Sequence, residues 1–308
     1  MLTPIPSDPD VADGDSQDET PADEAETRNY LLDRSKRDNA PIPNVFIQDP
    51  DKSLKNRAAP LADFVRSGDV RGLRAFLLLH AFISSGEGEN GWSTTLPLKV
   101  WARAFDTTKT ADVRSASSAA TKILSRLVSR NLIERTRSGR ARNITVTLLR
   151  PDGSGDPYVR PDGLTVANRF IRLNHKYWTD GWHEQLDLAA TAMLLVALHE
   201  NPDGFPLPTE RVPGWYGWSA DTAERGLKTL RDHGLIEVEK RVKKAPLAPS
   251  GVTTVNVYRL TPELAPPPPQ KRPGGKKHAS KATAANASKK SSKKPKNSQA
   301  AKKLVRKK

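Results

Sequence analysis

Along this chain apolar residues recur at three- and four-residue steps in four separate places, the spacing that gives a helix one buried face. Leu73, Phe76, Leu77, His80, Ala81 and Phe82 predict a first helix. After a glycine-rich loop, residues 93–96 are short and β-prone, and Pro97 suits the first position of a helix over 98–105. Residues 106–109 break the chain before a longer helix over about 111–130, whose buried stripe is Ala116, Ala120, Leu124 and Leu127. Asn131 suits a left-handed cap, and 132–137 and 143–149 read as two strands around Ser138 and Gly139.

The same order of signals then returns. Leu186, Ala189, Met193, Leu194 and Leu198 predict a buried helix face over 186–199, and residues 205–207 a short strand. Pro213 and Gly214 predict a short or distorted helix over 209–216. Ser219 is placed to cap a helix over 220–233, with Ala223, Leu227 and Leu230 on its apolar side and Gly234 as its stop. Strands follow at 235–241 and 252–260. Offset by 103 positions, Leu124, Leu127, Asn131, Leu132, Ile133 and Glu134 fall on Leu227, Leu230, Gly234, Leu235, Ile236 and Glu237, which points to an internal repeat.

Outside the repeat the composition changes sharply. Residues 1–27 hold 9 acidic residues and no basic one, whereas 264–308 hold 15 basic residues and no acidic one. The expected organisation is an acidic disordered head (1–44), two folded domains (45–152 and 153–263), and a proline-rich linker with a lysine-rich disordered tail (264–308). The whole chain has 50 basic and 35 acidic residues, a formal charge of +15, so the segment between head and tail keeps 35 basic against 26 acidic and is cationic by itself. A polyanion is the expected partner.

Several chemistries drop out. The absence of cysteine removes disulfides, thiolate metal sites and cysteine nucleophiles. His80, His175, His183, His199, His233 and His278 lack the spacing of metal ligands, and neither a metal nor a small-molecule cofactor is expected. Gly86, Gly88 and Gly91 match a dinucleotide-binding pattern but follow a helix and lie beside Glu87 and Glu89, so they read as a turn. No phosphate-binding loop of the G-x-x-x-x-G-K-S/T kind is present. Trp178, Trp182, Trp215, Tyr216 and Trp218 read as core aromatics rather than base-stacking platforms. The longest apolar run is too short to span a membrane and no secretion signal is legible, which makes the cytoplasm the expected location.

Helix, short strand, helix, helix and hairpin is the order of the winged-helix fold. The block ILSRLVSRNLIERTR at 123–137 resembles the third helix of that fold running into its wing, and GLKTLRDHGLIEVEK at 226–240 resembles it again. The likeness spans 61–150 and 170–260, implying an α+β, mainly α chain of two tandem winged helices. Paired modules of this kind resemble plasmid replication initiators, single ones resemble bacterial transcription regulators, and the tail is similar to the basic extensions of nucleoid proteins.

That resemblance implies double-stranded DNA as partner, with the third helix in the major groove and the wing on the backbone or minor groove. In the first copy the implied contacts are Lys109, Arg114, Ser115, Ser118, Lys122 and Arg126, with Arg135, Arg137, Arg140 and Arg142 on the wing. In the second they are Thr222, Arg225, Lys228 and Arg231, with Lys240, Arg241, Lys243 and Lys244 on the wing. Arg114 and Arg225 are the favoured base readers, because a guanidinium can donate two bonds to guanine. Two modules in one chain either replace a homodimer or build one. The expected role is non-enzymatic: transcription regulation, or replication initiation at a plasmid or mobile element, with the protein held at nucleoid or plasmid. The alternative is a protein-interaction scaffold, or a nucleoid-associated protein that holds DNA non-specifically through its tail.

Overall fold

The computed structural model describes residues 20–84, 91–109, 111–138, 142–201 and 203–265. The start of the expected head, the expected tail beyond Ala265, and Gly86, Gly88, Gly139 and Arg140 lie outside the described residues.

The first element is one the acidic composition conceals. Helix α1 (Glu24–Arg34) opens with a capping box: Asp23 accepts from the Glu26 N–H at 2.8 Å, and Glu26 accepts from the Asp23 N–H at 2.9 Å. Its Thr27, Arg28, Leu31 and Leu32 are buried. Strand β1 (Asn39–Pro43) follows, so the expectation of a disordered head to residue 44 is corrected from Asp23 onward. Apolar contact made by a few residues outweighs the polar average of the segment.

Helix α2 (Pro60–Ser67) starts on a proline and ends on Gly68, whose φ of 67° is the left-handed stop. Next come α3 (Val70–Phe82), β2 (Ser93–Pro97), α4 (Leu98–Ala104), α5 (Val113–Ser129), β3 (Ile133–Ser138) and β4 (Asn143–Leu148). Pro97 ends the strand rather than beginning the helix. The three strands form a sheet of order β2-β4-β3, with Ile144, Val146 and Leu148 facing the core.

Strand β5 (Phe170–Asn174) pairs antiparallel with β1, from Asn39 opposite Asn174 to Pro43 opposite Phe170. After the short helices α6 (Lys176–Thr179) and α7 (Trp182–Gln185) come α8 (Leu188–His199), β6 (Phe205–Pro206), α9 (Val212–Trp215), α10 (Ala220–Asp232), β7 (Ile236–Lys244) and β8 (Val252–Leu260). Pro213 and Gly214 leave α9 a single turn preceded by a 3-10 turn at Thr209–Arg211, as the sequence predicts. The second sheet, β6-β8-β7, repeats the strand order of the first.

The two copies do not have separate interiors. Residues 20–265 lie in one compact unit, and one buried cluster runs from Leu31 to Leu264. Helix α8 is buried on every side from Ala189 to Leu198, so it serves as a shared centre rather than a surface support. The β1–β5 pair joins the segment preceding the first copy to the start of the second, Arg66 Nε donates to the Gly217 carbonyl at 2.7 Å, and Gln48 Nε2 donates to that of Trp215 at 3.1 Å. The boundary expected at 152/153 therefore divides the sequence but not the core. Trp178, Tyr216 and Trp218 are buried, in keeping with a packing role. Among the described residues no helix is long and apolar enough to cross a membrane.

Candidate nucleic-acid interface

Helix α5 combines a small-residue buried stripe with a polar outer face. Asp112 caps it, accepting from the N–H groups of Arg114 (2.9 Å) and Ser115 (3.1 Å). Ala116, Ala120, Ile123, Leu124 and Leu127 are buried, and the two alanines let the helix sit close to α4. Arg114, Ser115, Ser118 and Lys122 remain exposed. Together with Arg71 and Arg126 they line an open groove of about 460 Å³, whose lining contains no carboxylate. Arg71 lies on the first turn of α3, beside the residues that bury that helix, and sequence reading missed it because no periodicity marks which exposed cation will face a distant helix.

Arg126 is less free than its position on α5 implies. Asp69, the cap of α3, accepts from the Gly72 N–H at 2.9 Å and from both Nε and Nη2 of Arg126 at 2.9 Å, while Arg130 Nη1 donates to Oδ2 at 2.9 Å. The Arg130 guanidinium also lies 4.4 Å from the Phe64 ring centre. Burial pushes the Asp69 carboxyl up, but the Arg126 and Gly72 hydrogen bonds and the charges of Arg126 and Arg130 outweigh it and hold it below its ordinary value.

Two more candidates carry internal duties. Lys109 is bonded to Glu184 and lies 3.4 Å from Asp106. Arg135 Nη1 donates to the Thr121 carbonyl at 3.2 Å and to Ser125 Oγ at 3.1 Å, tying β3 to α5. Arg137 and Arg142 are exposed near the end of the hairpin, where Arg142 adopts φ 52°.

In the second copy Ser219 caps α10 by accepting from the Thr222 N–H at 3.1 Å, and Arg225 and Arg231 are exposed. Lys228 pairs with Asp232 four residues on, and Asp221 and Glu224 share the same helix, so α10 carries three acids against three bases. Its fit to a polyanion is weaker than that of α5, where none of the residues from Val113 to Ser129 is acidic. On β7, Lys240, Lys243 and Lys244 are exposed, while Arg241 makes a two-point contact with Glu239 at 3.0 and 2.8 Å.

A further ionic cluster joins elements far apart in sequence. His183 Nε2 lies 3.4 Å from Asp106 Oδ2 and from Glu184 Oε1, and the ligand-type atoms of the three residues converge within 4.8 Å. Arg28, which is almost fully buried, bonds Asp106, and Lys109 enters the same cluster. Two cations thus neutralise its two carboxylates, and the cluster locks α1 and α7 onto the turn after α4. Elsewhere His80 is enclosed by Phe76 and Tyr158, and neither ring nitrogen has a hydrogen-bond partner. Burial, helped by the charge of Arg37, pushes it down to about 3. Burial likewise takes His175 down to about 4, with Arg37 adding to the effect and Asp38 and Asp33 opposing it.

Comparison of the chain with protein-family models, curated proteins and solved structures finds no match.

Proposed function

We propose that this protein is a non-enzymatic, sequence-selective binder of double-stranded DNA, built from two winged-helix modules fused through one core, in which α5 enters the major groove. The observation that carries this reading is the groove between α3 and α5, lined by Arg71, Arg114, Lys122 and Arg126 with hydroxyls of Ser115 and Ser118 between them and no carboxylate in the lining. A helix is the element the major groove admits, and a carboxylate-free cationic face beside it suits the phosphate walls. Arg114 is the base reader, Arg71 and Lys122 are phosphate contacts, and Arg137 and Arg142 extend the interface from the first hairpin. Arg126 acts indirectly by tying α5 to the cap of α3, and Lys109 by holding α7 to the turn after α4. The process served is transcription regulation or replication initiation at a plasmid or mobile element.

The modules divide the work unequally. In this reading the second copy has a supporting role, which the balanced charge of α10 and the cations on β7 support. Replacing Arg71 or Lys122 by alanine is expected to weaken binding to all duplexes alike and to lower the salt slope by about 0.9 for each phosphate that is no longer neutralised. Arg114→Ala is expected to cost about 1 to 3 kcal/mol at the preferred site and less elsewhere. Fluorescence anisotropy titrations across a salt series check both. Unchanged affinity and slope in all three variants would assign DNA holding to the lysine-rich tail and leave the modules as a protein-interaction scaffold.

A further inference from the structure

The two hairpins are built differently. In the first sheet the third strand reaches the end of the hairpin, since Pro97 and Ser138 both oppose Asn143. In the second, β6 stops where Pro206 opposes Val257, and the β7–β8 ribbon continues alone through five more pairs, from Lys240 opposite Asn256 to Lys244 opposite Val252. At about 3.3 Å per residue this is a free two-stranded arm of about 17 Å. Between Lys240 and Asn256 there are four cations and no acid. Strand alternation puts Lys240 and Lys244 on one face and Arg241 and Lys243 on the other.

The arm ends in an apolar tip. Leu247 is completely exposed (101% of its reference area), between Pro246 and Pro249. The turn that presents it is ordered: Ala245 N–H donates to the Gly251 carbonyl at 2.8 Å, Ala248 N–H to Ala245 at 2.9 Å and Gly251 N–H to Ala248 at 2.8 Å. Pro246 and Pro249 fix φ at their own positions, which lowers the backbone freedom the turn has to lose on binding. Full exposure of a leucine on a stiff, cationic arm contributes nothing to the fold.

We propose that the β7–β8 arm lies in the minor groove of the duplex and that Leu247 enters a base step as a wedge, bending the DNA. The proposal rests on the reading of the chain as a duplex-DNA binder. Lys240 and Lys244 on one face and Lys243 on the other meet the phosphates of the two groove walls, Arg241 being held by Glu239 at the base of the arm, and about 17 Å of arm covers about five base pairs at 3.4 Å each. Burying the leucine offsets much of the cost of unstacking one step.

The test uses the full chain and a duplex carrying a donor and an acceptor dye at its two ends, read by resonance energy transfer at saturating protein, beside an affinity titration. Wild type is expected to bring the ends together by a bend of about 20 to 90°. Leu247→Ala is expected to keep an unchanged melting temperature and an affinity within about 3-fold of wild type, but to leave the duplex nearly straight. An equal bend with Leu247→Ala, or wild-type binding without any bend, overturns the wedge while the DNA reading stands. Absence of duplex binding by wild type removes the DNA reading itself. A straight duplex together with capture of wild type, but not Leu247→Ala, by phosphatidylserine vesicles would reassign the arm to a membrane surface and overturn the proposal.

Discussion

Asp69 sets both the stability of α3 and the charge available in the groove. It caps one helix and grips two arginines of another, so removing it leaves an uncapped N-terminus and two guanidinium groups without their carboxylate. Asp69→Ala is expected to cost about 2 to 4 kcal/mol in a urea unfolding titration, combining a missing cap with a broken, largely buried ion pair; a cost below about 0.5 kcal/mol, as for an ordinary surface change, would mean that the network contributes nothing. His80 and His175 act in another window. Their folded values, about 3 and about 4, lie below the unfolded value near 6.5, so as pH falls below 6.5 the unfolded chain takes up protons that the folded chain refuses. Stability is fully present above pH 6.5 and is expected to fall by up to about 1.4 kcal/mol per pH unit for each histidine as pH approaches 4. His80→Phe should flatten that dependence by one proton, checked by denaturant titrations at stepped pH; an unaltered slope would contradict the burial argument. Asp69, held low, loses its contribution only at more acidic pH, as its carboxyl protonates. Residue types and helix faces were legible in the sequence, which is why Arg114, Ser118, Lys122, Arg225 and Arg231 stand exposed where the spacing puts them. The duties of Arg126 and Lys109 were not, because their carboxylate partners lie 57 and 75 positions away and no periodicity encodes such a meeting.

At the scale of elements, periodicity located every long helix of the repeat, and turn chemistry located its strands. Left-handed φ at Asn131 (55°) and Gly234 (70°) closes the helices where the cap residues predict. What escaped were the elements outside the repeat. The buried face of α1 is too short to register against nine acidic neighbours, and β1 carries Pro41 and Pro43, which read as loop until β5 pairs with it from 131 positions away. Gly226 is a further case: inside a helical pattern it reads only as a weak helix former, yet a Cβ there would stand 2.4 Å from the Ala189 carbonyl oxygen and 2.8 Å from Met193. Backbone cannot yield as a side chain can, so Gly226→Ala is expected to push α10 off α8 and destabilise the protein by about 2 to 3 kcal/mol, against the slight gain a glycine-to-alanine change gives in an uncrowded helix. Thermal unfolding monitored by circular dichroism measures the difference, and a stabilised variant would contradict the close approach.

For the whole molecule, one core in place of two changes how the copies work. Independent modules on a linker could bind separate sites at variable spacing, whereas copies fused through α8 and the β1–β5 pair hold α5 and the β7–β8 arm at a fixed separation. A single site of fixed length, rather than two movable half-sites, is therefore expected. The central claim is that the α5 groove chooses sequence, and a polycationic tail cannot imitate that, since phosphate neutralisation is blind to bases. Selection of bound fragments from a random duplex pool, run with the full chain and with Arg114→Ala/Lys122→Ala, tests it most directly. Wild type is predicted to enrich one discrete motif that the double variant fails to enrich; no motif with wild type, or the same motif with both, would contradict the claim.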